Sequence, residues 1–290
     1  GEGNQIGEKK SFIDKYAKDM PLPIVSATVD GCMENGLDVT WGGAKYNSTG
    51  TAAVGLGTLV DSLAVIKYMV YDKKLISARE LYDAVMNNWE GQEPLRQRVH
   101  TEVPRFGNDN DYTDELAVWV TEVYANKVKS ATGPRGNHYA PGLYPVATHV
   151  LYGLISWATP DGRKTGDPFS DGISGKQGMD KEGPLATLKS CCKINHRANS
   201  NGTLLNMKFH PKSLEGEGVE KMRQLMQTYF EMGGMEMQFN IVDADQLREA
   251  QKNPEDHKDL VVRIAGFSAY FVELYKGMQD DVINRTEVSL

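Results

Sequence analysis

Cysteine and histidine are the side chains of this sequence that most often carry nucleophilic or metal chemistry. The three cysteines include one adjacent pair, Cys191 and Cys192, and an odd number of cysteines does not make a disulfide framework. Four of the six histidines are considered as metal ligands, but they lack metal-ligand spacing, and we expect each to be a hydrogen-bonded or surface residue: His138, His149, His196 and His210. The strongest candidate for chemistry therefore has no reactive side chain.

That candidate is Gly266, which stands between two segments of different periodicity. The apolar run over 260–264 predicts a strand, and the apolar spacing over 278–285 predicts a helix. Glycine interrupts such patterns where the chain must turn. The first interpretation of Gly266 is thus a tight turn, a positive φ or a close backbone approach.

The neighbours of Gly266 resemble the radical-bearing motif of the glycyl radical enzymes, whose usual form is Arg, Val, a small residue, Gly and Tyr. Arg263, Ala265 and Gly266 match this form, while Ile264 and Phe267 replace Val and Tyr. The resemblance implies that one Cα hydrogen of Gly266 is removed. The remaining electron is then shared between the amide nitrogen and the carbonyl at a flattened centre, which a Cβ would oppose. Because such a radical reacts quickly with oxygen, we expect a buried loop.

Further blocks extend the resemblance over nearly the whole chain, in the order used by the pyruvate formate-lyase-like superfamily. These blocks are residues 30–36, 42–47, 106–109, 158–163, 170–172, 181–184 and 201–209. They are most similar to the branch of dehydratases and carbon-heteroatom lyases, such as glycerol dehydratase, choline trimethylamine-lyase and hydroxyproline dehydratase. The resemblance implies an α/β fold, the C-terminal part of a ten-stranded barrel of two half-barrels. Residues 1–165 would belong to the barrel, and residues 166–290 would form the glycine radical domain.

The catalytic cysteine loop of the family, of form Gly-Cys-x-Glu, is expected upstream of this chain. Residues 31–34 fit the short pattern, but the glycine-rich block after Cys32 is similar to a different part of the family, downstream of the true loop. We therefore expect that Cys32 is not the catalytic cysteine. Cys191 and Cys192 imitate the adjacent pair of pyruvate formate-lyase, yet their surroundings favour ordinary buried thiols.

Arg285 follows Gly266 by nineteen residues, at the end of the predicted final helix. The resemblance to the dehydratases implies that it lies near the substrate pocket. A cation in the last turn of a helix also complements the helix dipole. Both interpretations of Arg285 remain open from the sequence.

The resemblance also implies how the radical arises and which partners the chain has. No cofactor or metal would be bound, and a separate activating enzyme with S-adenosylmethionine and an iron-sulfur cluster would install the radical at Gly266. The other implied partners are a small polar substrate, the missing N-terminal part of the enzyme and a second copy in a homodimer. The implied reaction is radical hydrogen abstraction, followed by loss of a hydroxyl, amine or sulfonate group with acid-base help. We expect this chain alone to be inactive.

Other functions are compatible with the same motifs. Formate acetyltransferase-type enzymes, decarboxylases and fumarate-adding synthases belong to the same superfamily. A short chain with a glycyl loop can also act as a non-catalytic repair subunit for an oxygen-cleaved lyase. Finally, the chain can be an α/β binding domain in which Gly266 is merely a turn.

Composition excludes several partners. The net charge of −7 without a basic cluster argues against nucleic acid as the main partner. No segment approaches eighteen apolar residues and the first ten residues are too polar for a signal peptide, so we expect a cytoplasmic protein without a membrane partner. The glycine-rich stretch over 36–57 lacks the spacing of a nucleotide-binding loop.

Hydrophobic periodicity predicts helices alternating with short strands. The predicted helices are 11–20, 61–71, 77–91, 113–129, 219–230, 245–252 and 278–285, and the predicted strands are 24–29, 144–155, 204–209, 235–242 and 260–264. Residues 172–183 are predicted to be a loop. Such alternation is typical of an α/β architecture with largely parallel strands.

Overall fold

Helices and short strands alternate along the chain in a computed structural model, which describes residues 14–133, 135 and 137–288. Residues 14–19 are helical, and the first part of the helix predicted over 11–20 lies outside the described residues. The later helices are α1 (Pro23–Thr28), α2 (Cys32–Asn35), α3 (Leu56–Val65), α4 (Ala78–Met86), α5 (Glu93–Glu102), α6 (Asp111–Lys129), α7 (Thr148–Ile155), α8 (Pro184–Cys192), α9 (Gly218–Glu231), α10 (Ala244–Lys252) and α11 (Lys276–Asn284). The strands are β1 (Thr49–Ala53), β2 (Tyr139–Leu143), β3 (Leu205–Phe209), β4 (Met237–Ile241), β5 (Val261–Arg263), β6 (Ser268–Tyr270) and β7 (Glu287–Val288).

Parallel pairing dominates the larger sheets. β3 lies between β4 and β7, and both neighbours run parallel to it. β1 and β2 form a separate parallel pair, whereas β5 and β6 form an antiparallel hairpin. The predicted α/β class with largely parallel strands is therefore confirmed.

The sheet of β3 and β4 has one apolar face, which packs on helices. Leu205, Met207 and Phe209 of β3 join a core with residues of α6, α8 and α9, and Met237 and Phe239 of β4 pack against it. Because successive side chains of a strand point to opposite faces, the residues between them lie on the other side of the sheet. Those residues are polar, and they support the region of Gly266.

A second core lies beneath the hairpin of β5 and β6. It combines Val262, Ile264 and Ala265 of the hairpin region with Leu247 of α10 and Val282 of α11. The apolar residues of the hairpin therefore pack against two helices, and this packing positions the tip of the hairpin relative to the sheet.

Several sequence-predicted elements are confirmed. Strands β3 and β4 and helices α9, α10 and α11 lie where periodicity predicts them. The helix predicted over 61–71 begins earlier, at Leu56, and continues as a π-helical stretch over Ile66–Asp72. α4 begins with a capping box, since Ser77 Oγ accepts from the Glu80 N–H and the Glu80 carboxylate accepts from the Ser77 N–H. Residues 172–183 contain no helix or strand.

Other predictions of local structure are wrong. The run over 24–29 forms α1 rather than a strand, and Pro23 at its first position has the φ of a helix start. The run over 144–155 ends in α7, because a continuous apolar run does not distinguish a strand from a helix. The helix predicted over 113–129 begins earlier, at Asp111, and is capped by Asn110, whose side chain accepts from the Tyr112 N–H. Elements β1, β2, α5 and α8 were not predicted.

Candidate functional site

Gly266 lies at the tip of the β5–β6 hairpin, where the turn comprises residues 264–267. The Ile264 N–H donates to the Phe267 carbonyl at 2.9 Å, which closes the turn. The φ of Gly266 is +89°, in the left-handed region that favours glycine. A Cβ built at this position would meet only Leu204 Cδ1, at 3.9 Å. Backbone conformation, not crowding, therefore requires glycine here, and Gly266 is followed by a strand rather than directly by the predicted helix.

The expected burial of the loop is only partly correct. Ile264 and Ala265 are buried, because they point into the core beneath the hairpin. Gly266 itself is exposed, and the Phe267 side chain is 40% exposed. Within this chain the Cα of Gly266 is not shielded from solvent, so the prediction of a buried glycine is wrong for the described residues taken alone.

Carboxamide side chains from the sheet hold the main chain of the turn. Asn240 forms two hydrogen bonds with the backbone of Arg263, accepting from its N–H at 2.7 Å and donating to its carbonyl at 2.7 Å. Asn206 donates to the Ile264 carbonyl at 3.0 Å. Gln238 Oε1 accepts from the Gly266 N–H at 3.2 Å. These hydrogen bonds fix the main chain that leads into Gly266, up to its own N–H.

These carboxamides share one face because of the register of β3 and β4. Asn206 pairs with Gln238, and Lys208 pairs with Asn240. All four side chains are buried although they are polar. Lys208 Nζ donates to the Ile283 carbonyl at the end of α11, at 2.8 Å. Buried polar groups require such partners, and the hairpin and α11 provide them.

Arg285 connects the turn to buried carboxylates. Its Nη1 donates to the Ile264 carbonyl at 2.9 Å and to the Arg263 carbonyl at 3.2 Å. Its Nη2 lies 3.3 Å from Asp171 Oδ2 and 3.1 Å from Asp281 Oδ2. Arg285 is the C-cap residue just after α11 and is buried. The guanidinium therefore lies between two carboxylates and the backbone of the radical-like motif.

Asp281 in turn binds His149 of α7. The His149 Nε2 and Asp281 Oδ2 atoms are 3.0 Å apart, and Gln177 Nε2 donates to Asp281 Oδ1 at 2.7 Å. Burial raises the pKa of Asp281, but the charge of Arg285 and the hydrogen bonds from His149 and Gln177 lower it to about 2. Burial lowers the pKa of His149, whereas Asp281 raises it, and the net pKa is raised. The raised pKa of His149 and the lowered pKa of Asp281 both favour an ionised pair.

Cys32 and Cys191 are buried, and Cys192 is half-buried. Cys32 is buried at the start of α2, and burial, Asp38 and Glu34 raise its pKa. Cys191 is fully buried in the sheet core, and burial raises its pKa and that of Cys192. Thiols with raised pKa values are not activated as thiolates.

The histidines have hydrogen-bond partners rather than metal geometry. His196 is buried, with Nδ1 2.7 Å from Thr203 Oγ1 and Nε2 3.0 Å from the Cys191 carbonyl. His210 Nδ1 accepts from the Lys212 N–H at 3.2 Å. Within the part of the chain that the structure describes, no three His, Cys, Asp or Glu side chains form a metal-binding group.

Sequence reasoning located Arg263, Gly266 and Arg285, which the structure brings together. It missed the carboxamides Asn206, Gln238 and Asn240 and the charged residues that contact Arg285. One signal was available, since Gln238 and Asn240 occupy alternate positions of a predicted strand. In the sequence alone, polar residues at alternate positions of a strand are more typical of a sheet face that is exposed to solvent.

Comparison with known proteins supports the family resemblance over most of the chain. The family profile described as pyruvate formate lyase-like matches residues 8–153, and the glycine radical profile matches residues 169–272. The chain is 43% identical over 287 residues to trans-4-hydroxy-L-proline dehydratase of Clostridioides difficile, with 99% of this chain and 36% of the relative covered. It is 40% identical to (2S)-3-sulfopropanediol dehydratase of Klebsiella oxytoca, with 98% and 35% covered.

A solved structure agrees with these sequence matches. The glycerol-bound B12-independent glycerol dehydratase of Clostridium butyricum superposes with a TM-score of 0.92 at 41% identity, and the match covers 97% of this chain and 36% of that one. The chain thus spans about a third of the length of the relatives it matches. None of the helices within the described ranges combines the length and apolar character of a membrane span. This chain belongs to the pyruvate formate lyase-like family and carries the glycine radical domain of the glycyl radical enzymes.

Proposed function

We propose that this chain is the C-terminal part of a glycyl radical dehydratase or carbon-heteroatom lyase, and that Gly266 is its radical residue. The observation that carries the proposal is the position of Gly266 in a positive-φ turn whose two preceding peptides are fixed by buried side chains. A fixed turn keeps the amide before the radical centre in one arrangement. Residues 263, 265 and 267 complete the motif around this centre.

The reaction proposed is a transfer of hydrogen atoms through Gly266. An activating enzyme with S-adenosylmethionine and an iron-sulfur cluster removes one Cα hydrogen. Gly266 then takes a hydrogen atom from a cysteine thiol in the part of the enzyme outside this chain, and that sulfur takes one from a substrate carbon. Loss of a neighbouring hydroxyl, amine or sulfonate group follows, with acid-base help. The product radical then takes a hydrogen atom back from the cysteine thiol, and the sulfur takes one from Gly266, which regenerates the glycyl radical. The substrate class is a small polar metabolite, because the relatives act on hydroxyproline and sulfopropanediol.

The exposure of Gly266 supports the proposal that part of the enzyme lies outside this chain. A radical centre needs exclusion of water and oxygen, yet the described chain leaves Gly266 exposed. We propose that the other two thirds of the enzyme cover the hairpin tip, as part of the ten-stranded barrel, and that the complete enzyme forms a homodimer. We also propose a boundary between the barrel part and the glycine radical domain at residues 165 and 166, and the family matches that end at 153 and start at 169 support it.

The contacts of Arg285 support a role in holding the turn. Its guanidinium is occupied by Asp171, Asp281 and the carbonyls of Arg263 and Ile264. A position near the substrate pocket stays a prediction for Arg285. The two roles are compatible, since a side chain that fixes the turn also sets the distance from Gly266 to any neighbouring pocket.

The test is anaerobic activation of the protein from its native source, followed by electron paramagnetic resonance and by mass spectrometry before and after exposure to air. We expect a carbon-centred radical, cleavage at Gly266 in air, and an intact mass well above that of these 290 residues. A protein of unchanged mass that gives no radical would contradict the proposal. A protein of 290 residues that restores a cleaved lyase would instead establish the repair role.

Gly266→Ala is the decisive variant, and Gly233→Ala is its matched control. Gly233 also has a positive φ, +97°, with nothing near its Cβ position. Both variants carry the same kind of backbone strain. We expect the radical signal to disappear in Gly266→Ala alone.

A further inference from the structure

The hydrogen bonds of the Gln238 side chain are explained neither by the pairing of β4 nor by hydrophobic packing. Its Oε1 accepts two hydrogen bonds from the motif around Gly266, one from the Gly266 N–H at 3.2 Å and one from Arg263 Nε at 2.6 Å. The side chain is only 6% exposed. Its Nε2 has no hydrogen-bond partner among the described residues. A buried amide with an unpaired donor is costly, so its oxygen must contribute the compensating interactions.

The orientation of this amide follows from its partners. Both neighbours of Oε1 are donors, and a carboxamide presents only one acceptor atom. Turning the amide over would place its NH2 group against two N–H groups. The oxygen of Gln238 is therefore held against the Gly266 amide by chemistry as well as by the register of β4.

Resting on the proposed radical at Gly266, we propose that Gln238 is a positioning residue for the glycyl radical. The unpaired electron is shared with the amide nitrogen only while the peptide plane before Gly266 is aligned with the flattened Cα centre. A hydrogen bond from that N–H to a buried oxygen fixes the plane. It also increases the electron density that the nitrogen donates to the centre.

Neutrality makes glutamine suited to this position. Gln238 neither gains nor loses a proton near neutral pH, so its effect on the neighbouring centre does not change with solution conditions. Asn240, two residues further along the same face, forms its hydrogen bonds with the backbone of Arg263. Gln238 therefore acts on the radical residue itself, and Asn240 acts on the strand leading to it.

The test uses the enzyme with its native-length polypeptide, activated under anaerobic conditions, and compares three variants with the wild type. Gln238→Met keeps the side-chain length and removes the acceptor. Gln238→Glu keeps an acceptor oxygen, replaces the unpaired Nε2 with a second oxygen and adds a negative charge. Gln251→Met is the matched control, because Gln251 bonds to Gln279 and Asp280 on α11 and not to the turn.

The readouts are radical yield, radical lifetime without substrate, and the coupling of the electron to the exchangeable amide hydrogen of residue 266. This coupling is the difference between spectra recorded in H2O and in D2O. In Gln238→Met we expect yield and lifetime to fall by a factor of about 5, the usual worth of one neutral hydrogen bond, and the coupling to change. Gln238→Glu should restore both yield and lifetime, and Gln251→Met should match the wild type.

The outcomes separate this inference from the proposed function. An unactivatable wild type would mean that the radical assignment itself fails. A wild-type radical with an identical spectrum and lifetime in Gln238→Met would overturn the role of Gln238. If Gln238→Met does not fold, the Gln238→Glu spectrum decides, because a charged acceptor must alter the amide-hydrogen coupling if that bond reaches the radical.

Discussion

The Arg285 guanidinium donates to the Ile264 carbonyl at 2.9 Å, across 21 residues of sequence. The acceptor lies two residues before Gly266, in the turn of the hairpin. In a turn of this length the first carbonyl commonly accepts from the fourth residue. Here it accepts from Arg285 and from Asn206 instead. The geometry of the turn therefore depends on side chains from elsewhere in the chain.

Replacing Arg285 should be severely destabilising. Arg285→Met removes the cation between the buried carboxylates Asp171 and Asp281, and breaking such a buried ion pair costs about 3–5 kcal/mol. Denaturant unfolding should show this loss, and hydrogen exchange of residues 263–267 should accelerate. The control is Arg248→Met, which removes an exposed pair with Asp245 and should cost less than about 1 kcal/mol. Similar losses in the two variants would contradict the assigned role of Arg285.

Alanine at Gly266 should leave the fold intact. The positive φ makes Gly266→Ala cost about 1–2 kcal/mol, and its Cβ meets no close neighbour. Gly172 also has a positive φ, but a Cβ there would collide with the Leu204 carbonyl oxygen. Thermal unfolding should therefore show a small decrease for Gly266→Ala and a much larger one for Gly172→Ala. Equal decreases would mean that the tip is more crowded than the structure shows.

Stability should depend on pH through His149. Its folded-state pKa is raised by Asp281, so its ionised pair stabilises the fold fully below the unfolded pKa of about 6.5 and is lost as pH rises through the folded value. The free energy of unfolding should therefore decrease over this interval in the wild type. His149→Gln should remove that decrease, and His138→Gln at an exposed position is the control. A wild-type curve parallel to that of His149→Gln would exclude the pair.

Arg163 should not tolerate lysine. Its guanidinium is fully buried, donates to the carbonyls of Trp157 and Asp167, and lies 4.2 Å from the centroid of the Phe169 ring. Lysine cannot reproduce a planar fork that serves several carbonyls and stacks on a ring. We expect Arg163→Lys to lose about 3 kcal/mol of unfolding free energy. Full stability of this variant would show that water replaces the fork.

Prediction from sequence succeeded where periodicity and burial agree. α9 is amphipathic and β3 is an apolar-rich strand, so each was located correctly. α7 was mistaken for a strand because its apolar residues surround the helix, including exposed Leu151 and Ile155. The second strand of the hairpin, Ser268–Tyr270, was missed because three residues do not establish a period.

The residues of the site were likewise predicted only where a local sequence pattern marks them. Arg263 and Gly266 were singled out because their spacing forms a motif, and their role stays a prediction. The carboxamides were missed, since a polar residue within a strand ordinarily signals solvent and only the tertiary structure shows Gln238 and Asn240 buried against the hairpin. The contact of Arg285 with the turn spans 21 residues and depends on how α11 packs, which no local pattern records.

The two faces of β4 tolerate different kinds of substitution. At Met237 and Phe239 a replacement succeeds when it has similar volume, because those side chains fill a core. At Gln238 and Asn240 volume is secondary, since what matters is which atom donates and which accepts. Among natural homologues, the first positions should therefore exchange one hydrocarbon for another, whereas the second should stay fixed in chemical type even where the rest of the strand diverges.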